Sequence, residues 1–187
     1  RLRQAVGWAY GSEDPIAVAS LDAEAAEAYV AALETHGAAD VWKAKRPRVD
    51  QPVAMPATWF TRLPRVGAVA VQTPRPGAPL RSLLAAGVPL GLGSGDGFKG
   101  FDLVRLATMA ALGDEALSVE QAVTAISQGS AVSEFKETHK GRLVVGALAD
   151  LAVLSRDPFT AAGEELGRIR SVLTMIGGRS VYDVPRP

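Results

Sequence analysis

Four short strand candidates, three of them apolar and each followed by a helix-forming stretch, constrain this chain more than any other feature. They are IAVAS at 16–20, RPRVDQ at 46–51, AVAVQ at 68–72 and VPLGL at 88–92. A strand buried on both faces reads as a near-continuous apolar run, and parallel neighbours must be joined by crossover segments. The first run leads through Asp22, a residue suited to capping, into strong helix formers from Ala23 to Glu34. A short helix is predicted over Trp59 to Val66, kept brief by Pro56 and Pro64. Further helices are predicted over Leu80 to Ala86, over Phe101 to Leu112, and from Ser118, where Ser118 and Gln121 have the spacing of a capping box, to about Gln128. The pattern predicts a parallel α/β layer.

Near Gly141 the pattern switches. Leu143 to Val145, Ala149 to Leu154 and Ile169 to Tyr182 are β-rich, with Gly177-Gly178 placed as a hairpin turn. Residues 1–140 are therefore expected to form the α/β part and residues 141–187 a separate small sheet. A chain of 187 residues that is 48% hydrophobic has enough apolar material for a sizeable core.

Charge and cysteine usage remove several classes of function. Twenty basic and twenty acidic side chains cancel, so no net field draws the chain to nucleic acid or to an anionic membrane. The run Lys43, Lys45, Arg46 and Arg48 is expected to be solvated. With no cysteine, thiolate metal sites, disulfides and a cysteine nucleophile are excluded, which suits a cytoplasmic bacterial protein. The loop GSGDGFKG at 93–100 is neither a phosphate-binding loop, since no Gly-Lys-Ser/Thr follows, nor a nucleophile elbow around Ser94. Trp8, Trp42, Trp59 and Phe60 are expected in core or interface packing, and His36 and His139 on the surface, His36 near a helix C-terminus.

The most specific signal is the tail. The helix LSVEQAVTAIS from Leu117, then KGRLVVGALADLAVLSRDPF and finally VLTMIGGRSVYD resemble the C-terminus of the metal-dependent amidohydrolase superfamily. Gly146, Ala149 and Asp150 match its glycine followed by Ala-Asp, and Gly177, Gly178 and Val181 match its closing hairpin. Upstream, the four strand candidates resemble barrel strands five to eight of the branch that includes N-substituted formamide deformylases. The resemblance implies the C-terminal half of a (β/α)8 TIM-type barrel followed by strands of a small β-sandwich, to which N-terminal strands also contribute in that family.

It also implies chemistry. A divalent metal such as zinc makes a nucleophile by lowering the pKa of bound water, and its ligands converge at the C-terminal ends of barrel strands. In the family a His-x-His pair comes from the first strand, one histidine each from the fifth and sixth, and an Asp from the eighth. Here Ala19 stands at the fifth-strand position and Gln51 at the sixth, while Asp96 is the retained eighth-strand candidate, displaced by Gly95 from the usual Ser-Asp. Alanine has no donor atom and a glutamine carbonyl is a poor zinc ligand. Shifting the comparison by a residue or two changes nothing, because no histidine occurs between Arg1 and Thr35 or between Gly37 and Thr138.

The expected function is accordingly an amidohydrolase-like protein, related to hydrolases of non-peptide carbon–nitrogen bonds, whose metal site this chain does not itself complete. A non-catalytic scaffold or regulatory subunit on the same fold is the alternative. Half a barrel has two open strand edges. The expected partners are the barrel's N-terminal half or another chain covering those edges, a second copy included, with no nucleic acid and no membrane.

Overall fold

The computed structural model describes residues 1–19, 23–51, 55–93, 102–161 and 163–184. Its first sheet has four parallel strands in sequential order: β1 (Ala17–Ala19), β2 (Arg48–Asp50), β3 (Val69–Gln72) and β4 (Leu90–Leu92). Crossovers run through α2 (Ala23–Thr35) and α3 (Ala39–Lys45), then α4 (Trp59–Arg62) with a 3-10 turn over Leu63–Val66, then α5 (Leu80–Ala85). This is the predicted α/β order.

A helix the sequence reading passed over, α1 (Leu2–Gly11), packs on α2. Its signal was available: Leu2, Val6 and Ala9 recur at helical spacing, and Val6 and Ala9 are buried. In α2 the residues Ala26, Tyr29, Val30 and Leu33 form one buried stripe. Val49, Ala70 and Leu90 lie level across β2–β4 and join the same core. Alternation then puts Ala17, Ala19, Arg48, Asp50 and Val71 on the other face. Ala17 and Ala19 are exposed there and the other three are half-buried.

The predicted helix over Phe101 to Leu112 needs correction. It is α6 (Asp102–Ala107), broken at Thr108 and Met109, then a 3-10 segment over Ala110–Glu115 in which Gly113 has a φ of 57°. The capping box is present: the Gln121 amide donates to Ser118 Oγ at 3.1 Å and the Ser118 amide to Gln121 Oε1 at 2.9 Å. It starts α7 (Val119–Thr124), which continues as a π turn over Ala125–Gly129 and as α8 (Ser130–Ser133). α8 packs on β3 and β4. The π turn brings Gly129 so close to β4 that a Cβ there would sit 1.9 Å from the Leu90 carbonyl oxygen.

Two interactions tie the layer together. Arg62 donates to Glu27 at 2.7 Å and to Glu34 at 2.7 Å, both on α2, and Trp59 Nε1 donates to Glu27 at 2.9 Å. These bonds, from Trp59 first and Arg62 second, hold the Glu27 carboxyl below its usual pKa. Arg46 reaches the tail, donating to Val132 O at 3.2 Å and to Glu137 at 2.6 Å over the ring of Phe135. The basic run is therefore largely engaged rather than solvated: Lys45 donates to Ser12 O, and Arg48 pairs with Asp50.

The second sheet is antiparallel, with β5 (Leu151–Leu154), β6 (Ser171–Ile176) and β7 (Arg179–Asp183) in that order, and α9 (Glu164–Arg168) inserted before β6. Leu143 to Val145 form no strand, against expectation, and are exposed in a turn region. Gly177 and Gly178 make the hairpin, both at positive φ, 57° and 77°, as a two-residue turn between twisted strands requires. The Gly177 amide donates to the Asp150 carboxylate at 2.7 Å, which gives the Ala149-Asp150 pair a structural reason. Trp42 and Trp59 are fully buried as expected, whereas Trp8 is 66% exposed. No described helix is long and apolar enough to cross a membrane.

Gly129→Ala is expected to destabilise the chain by about 3 kcal/mol, the upper end of overpacking costs, because the obstacle is backbone rather than a movable side chain. Chemical denaturation checks this, with Gly11→Ala, which meets no neighbouring atom, as the control. The depressed Glu27 pKa contributes stability that is present above the ordinary carboxylate range and lost as pH falls through the folded-state value. Glu27→Gln should flatten that acid limb in a pH series of thermal melts.

Candidate functional site

Ligands of parallel α/β sheets and barrels bind beyond the C-terminal ends of the strands, so those ends define the candidate site. Ala19 closes β1, exposed, and its register partner on β2 is Asp50 rather than Gln51. Gln51 follows β2, half-buried, with a φ of 49° and its amide donating to Val71 O at 2.9 Å. On the next strands, the Gly93 amide donates to Gln72 O at 2.9 Å and Thr73 Oγ1 to Gly93 O at 3.0 Å, so β3 and β4 end together. Ala19 and Gln51 are thus brought to one end of one sheet. Asp96 and Ser94 lie outside the described residues, as does Asp22.

Asp50 and Arg48 are the charged groups that sequence reasoning missed at this end. Residues two apart on a strand share a face, and Arg48 Nε donates to Asp50 Oδ1 at 2.9 Å while its Nη2 donates to Oδ2 at 2.9 Å. The spacing of opposite charges inside the RPRVDQ segment was the available signal. Behind them, Tyr29 is fully buried, and burial first and the negative charge of Asp50 second push its phenol pKa up. Among the described residues the Tyr29 hydroxyl and the carboxamide of fully buried Gln72 have no hydrogen-bond partner.

The residues at positions 19 and 51 do not fit a zinc ion. Position 19 offers no donor, position 51 offers a neutral carboxamide, and Asp50 is already held by a guanidinium. Among the described residues no three His, Cys, Asp or Glu side chains come together in a metal-ligating group. His36 lies away from the strand ends: its Nδ1 is 3.0 Å from Ala32 O at the end of α2, where it is half-buried rather than fully exposed. His139 is exposed, with its Nδ1 2.8 Å from Thr138 Oγ1.

Comparison with known structures places this arrangement. The atrazine chlorohydrolase TrzN from Arthrobacter aurescens TC1, as its E241Q variant with zinc and atraton, superposes with a TM-score of 0.73 at 20% identity over 97% of this chain and 47% of its own. An amidohydrolase from Thermotoga maritima MSB8 gives 0.68 at 14% identity, over 94% of this chain and 45% of its own. The chain thus spans less than half the length of these structures. These matches show the fold, part of a TIM barrel with a second small sheet. A putative amidohydrolase, YtcJ of Bacillus subtilis strain 168, is 36% identical over 69 residues, which is 37% of this chain and 13% of that protein. The amidohydrolase family model matches residues 1–182, and the chain belongs to that family.

Proposed function

We propose that the chain is the C-terminal barrel half of a protein descended from hydrolases of non-peptide carbon–nitrogen bonds, and that this half supplies the ligand end without donating to a metal at positions 19 and 51. The observation that carries the reading is the pairing of Ala19 with Asp50 at the strand ends, with Gln51 one residue beyond. In an amidohydrolase a divalent metal at this place activates water. Since these donors do not fit it, no hydrolytic step is routed through it here. The tail motifs favour the branch resembling N-substituted formamide deformylases, and the cysteine-free composition favours the cytoplasm.

A non-catalytic scaffold or regulatory subunit is the second reading, favoured by the same loss of donors. Both readings include a cover for the sheet. Among the described residues β1 and β4 each pair with one strand only. An unsatisfied buried backbone group costs about 1–3 kcal/mol, so several along two edges would consume the ~5–15 kcal/mol stability of a typical domain. The proposed cover is the barrel's N-terminal half, or a second copy of this chain.

After exhaustive dialysis the protein is expected to hold no stoichiometric zinc at sites that include residues 19 and 51. Elemental analysis giving about one tightly held metal per chain, lost on substituting neighbouring residues of these strand ends, would overturn this. The double substitution Ala19→His with Gln51→His should create measurable zinc affinity if the two ends converge as a barrel's do. Zinc titration showing no gain in a folded double variant would sink the assignment of these positions. Hydrogen exchange on the native particle should show the β1 and β4 edges protected; rapid exchange along both would remove the covered-edge proposal.

A further inference from the structure

We propose that a groove at the N-terminal ends of β3 and β4 binds a small monocarboxylate with an aliphatic tail, its carboxylate on Lys43 and its tail against Leu84 and Leu90. Two cavities meet there, one of about 610 Å3 between α5, β4 and the π turn, the other of about 390 Å3 beside α3. Pro89, just before β4, and Val132, on α8, line both, so the two form one groove with a waist at these residues. Each volume falls within the ~300–1,000 Å3 of small-molecule sites. The groove opens where β3 and β4 begin, at the opposite end of the sheet from positions 19 and 51, and the proposal is independent of what those positions bind.

The π turn forms one wall of the larger cavity. Ala125, Gln128 and Gly129 of that turn line it, across from Leu84 and Leu90. A π turn widens a helix by one residue, and such turns recur at functional sites. Gly129 holds this one against the Leu90 carbonyl, while Ala125 offers only a methyl group to the hollow. The Ser127 hydroxyl donates to Val123 O at 2.6 Å and the Ser130 hydroxyl to Ala125 O at 3.3 Å, so these two carbonyls make no demand on a ligand.

Charge selects the ligand's head group. In the smaller cavity the Arg46 guanidinium is taken by Val132 O and Glu137 and stacks on Phe135. Lys43 lines the same cavity, is exposed, and among the described residues its side chain has no hydrogen bond or ion pair. Its backbone is fixed by close approach to Gly67, where a Cβ would lie 2.5 Å from Lys43 Cα. Glu120, on the rim of the larger cavity, sits in the first turn of α7, where the helix dipole already favours a carboxylate. The cation that remains is Lys43, and an ammonium at one end of an apolar groove complements a carboxylate at one end of an aliphatic chain.

The test is isothermal titration of the native protein with hexanoate, octanoate and 1-octanol, on wild type, Lys43→Gln and Thr124→Trp. Octanoate is expected to bind wild type once per chain and about tenfold tighter than hexanoate, the worth of two buried methylenes. Octanol and the Lys43→Gln variant should each lose about tenfold, as expected for one charge-assisted bond. Thr124 is exposed on the rim of the larger cavity, so a tryptophan there should fill the groove and abolish octanoate binding without lowering the melting temperature. Lys43 is exposed too, so Lys43→Gln should melt with wild type and keeps the head-group test separate from folding. No octanoate binding to wild type, or equal affinity for hexanoate and octanoate, would overturn the groove. Octanoate binding undiminished in Lys43→Gln would overturn the carboxylate reading.

Discussion

Everything in the α/β part depends on one buried face of a parallel sheet. Val49, Ala70 and Leu90 sit level across three strands, and because side chains alternate, burying them fixes the orientation of every neighbour. A slip of one residue would drive Arg48 and Asp50 into the apolar layer against Tyr29 and Leu33. It would also turn Ala17 and Ala19 inward, where they fill too little space. The register is therefore set by burial, and the register in turn brings residues 19, 51 and 93 to one end.

Polar contacts then lock what burial has arranged. Arg62 joins α4 to α2 through two carboxylates, and Trp59 adds a third bond from a fully buried ring, so one crossover is fastened to the previous one. These groups are partly exposed, and solvent screens them; their value is orientation more than stability. Arg46 plays the corresponding part between α3 and the segment after α8. The close approach of Gly129 to Leu90 completes the seam, since only a residue without Cβ lets the π turn sit against β4.

Much of this was legible in the sequence, for identifiable reasons. Short apolar runs stand out when glycine, proline and charge bound them, so β1, β3 and β4 were readable from composition and β2, inside the charged RPRVDQ, from its place between two helical stretches; the capping box at Ser118 and the Gly177-Gly178 hairpin were readable too. Leu143 to Val145 misled because a β-favouring composition does not by itself supply a pairing partner. The helix after Phe101 was read too long because leucine and alanine spacing continues across Met109, whose own backbone is extended (ψ 139°) and ends the helix there. At the strand ends, the sequence showed alanine at position 19 and glutamine at position 51, where the resemblance implies histidines. The Arg48–Asp50 pair and the left-handed Gln51 were not legible, since one needs strand alternation and the other a backbone angle.

The tail sheet poses the same physical problem as the barrel edges. Val153, Ile176, Val181, Tyr182 and Val184 are all at least 40% exposed, and the register puts Val153 on one face of the three-stranded sheet and Ile176 and Tyr182 on the other. The edge strand β7 is blunted by a register shift opposite Thr174 and Met175, the kind of irregularity that discourages indiscriminate strand pairing.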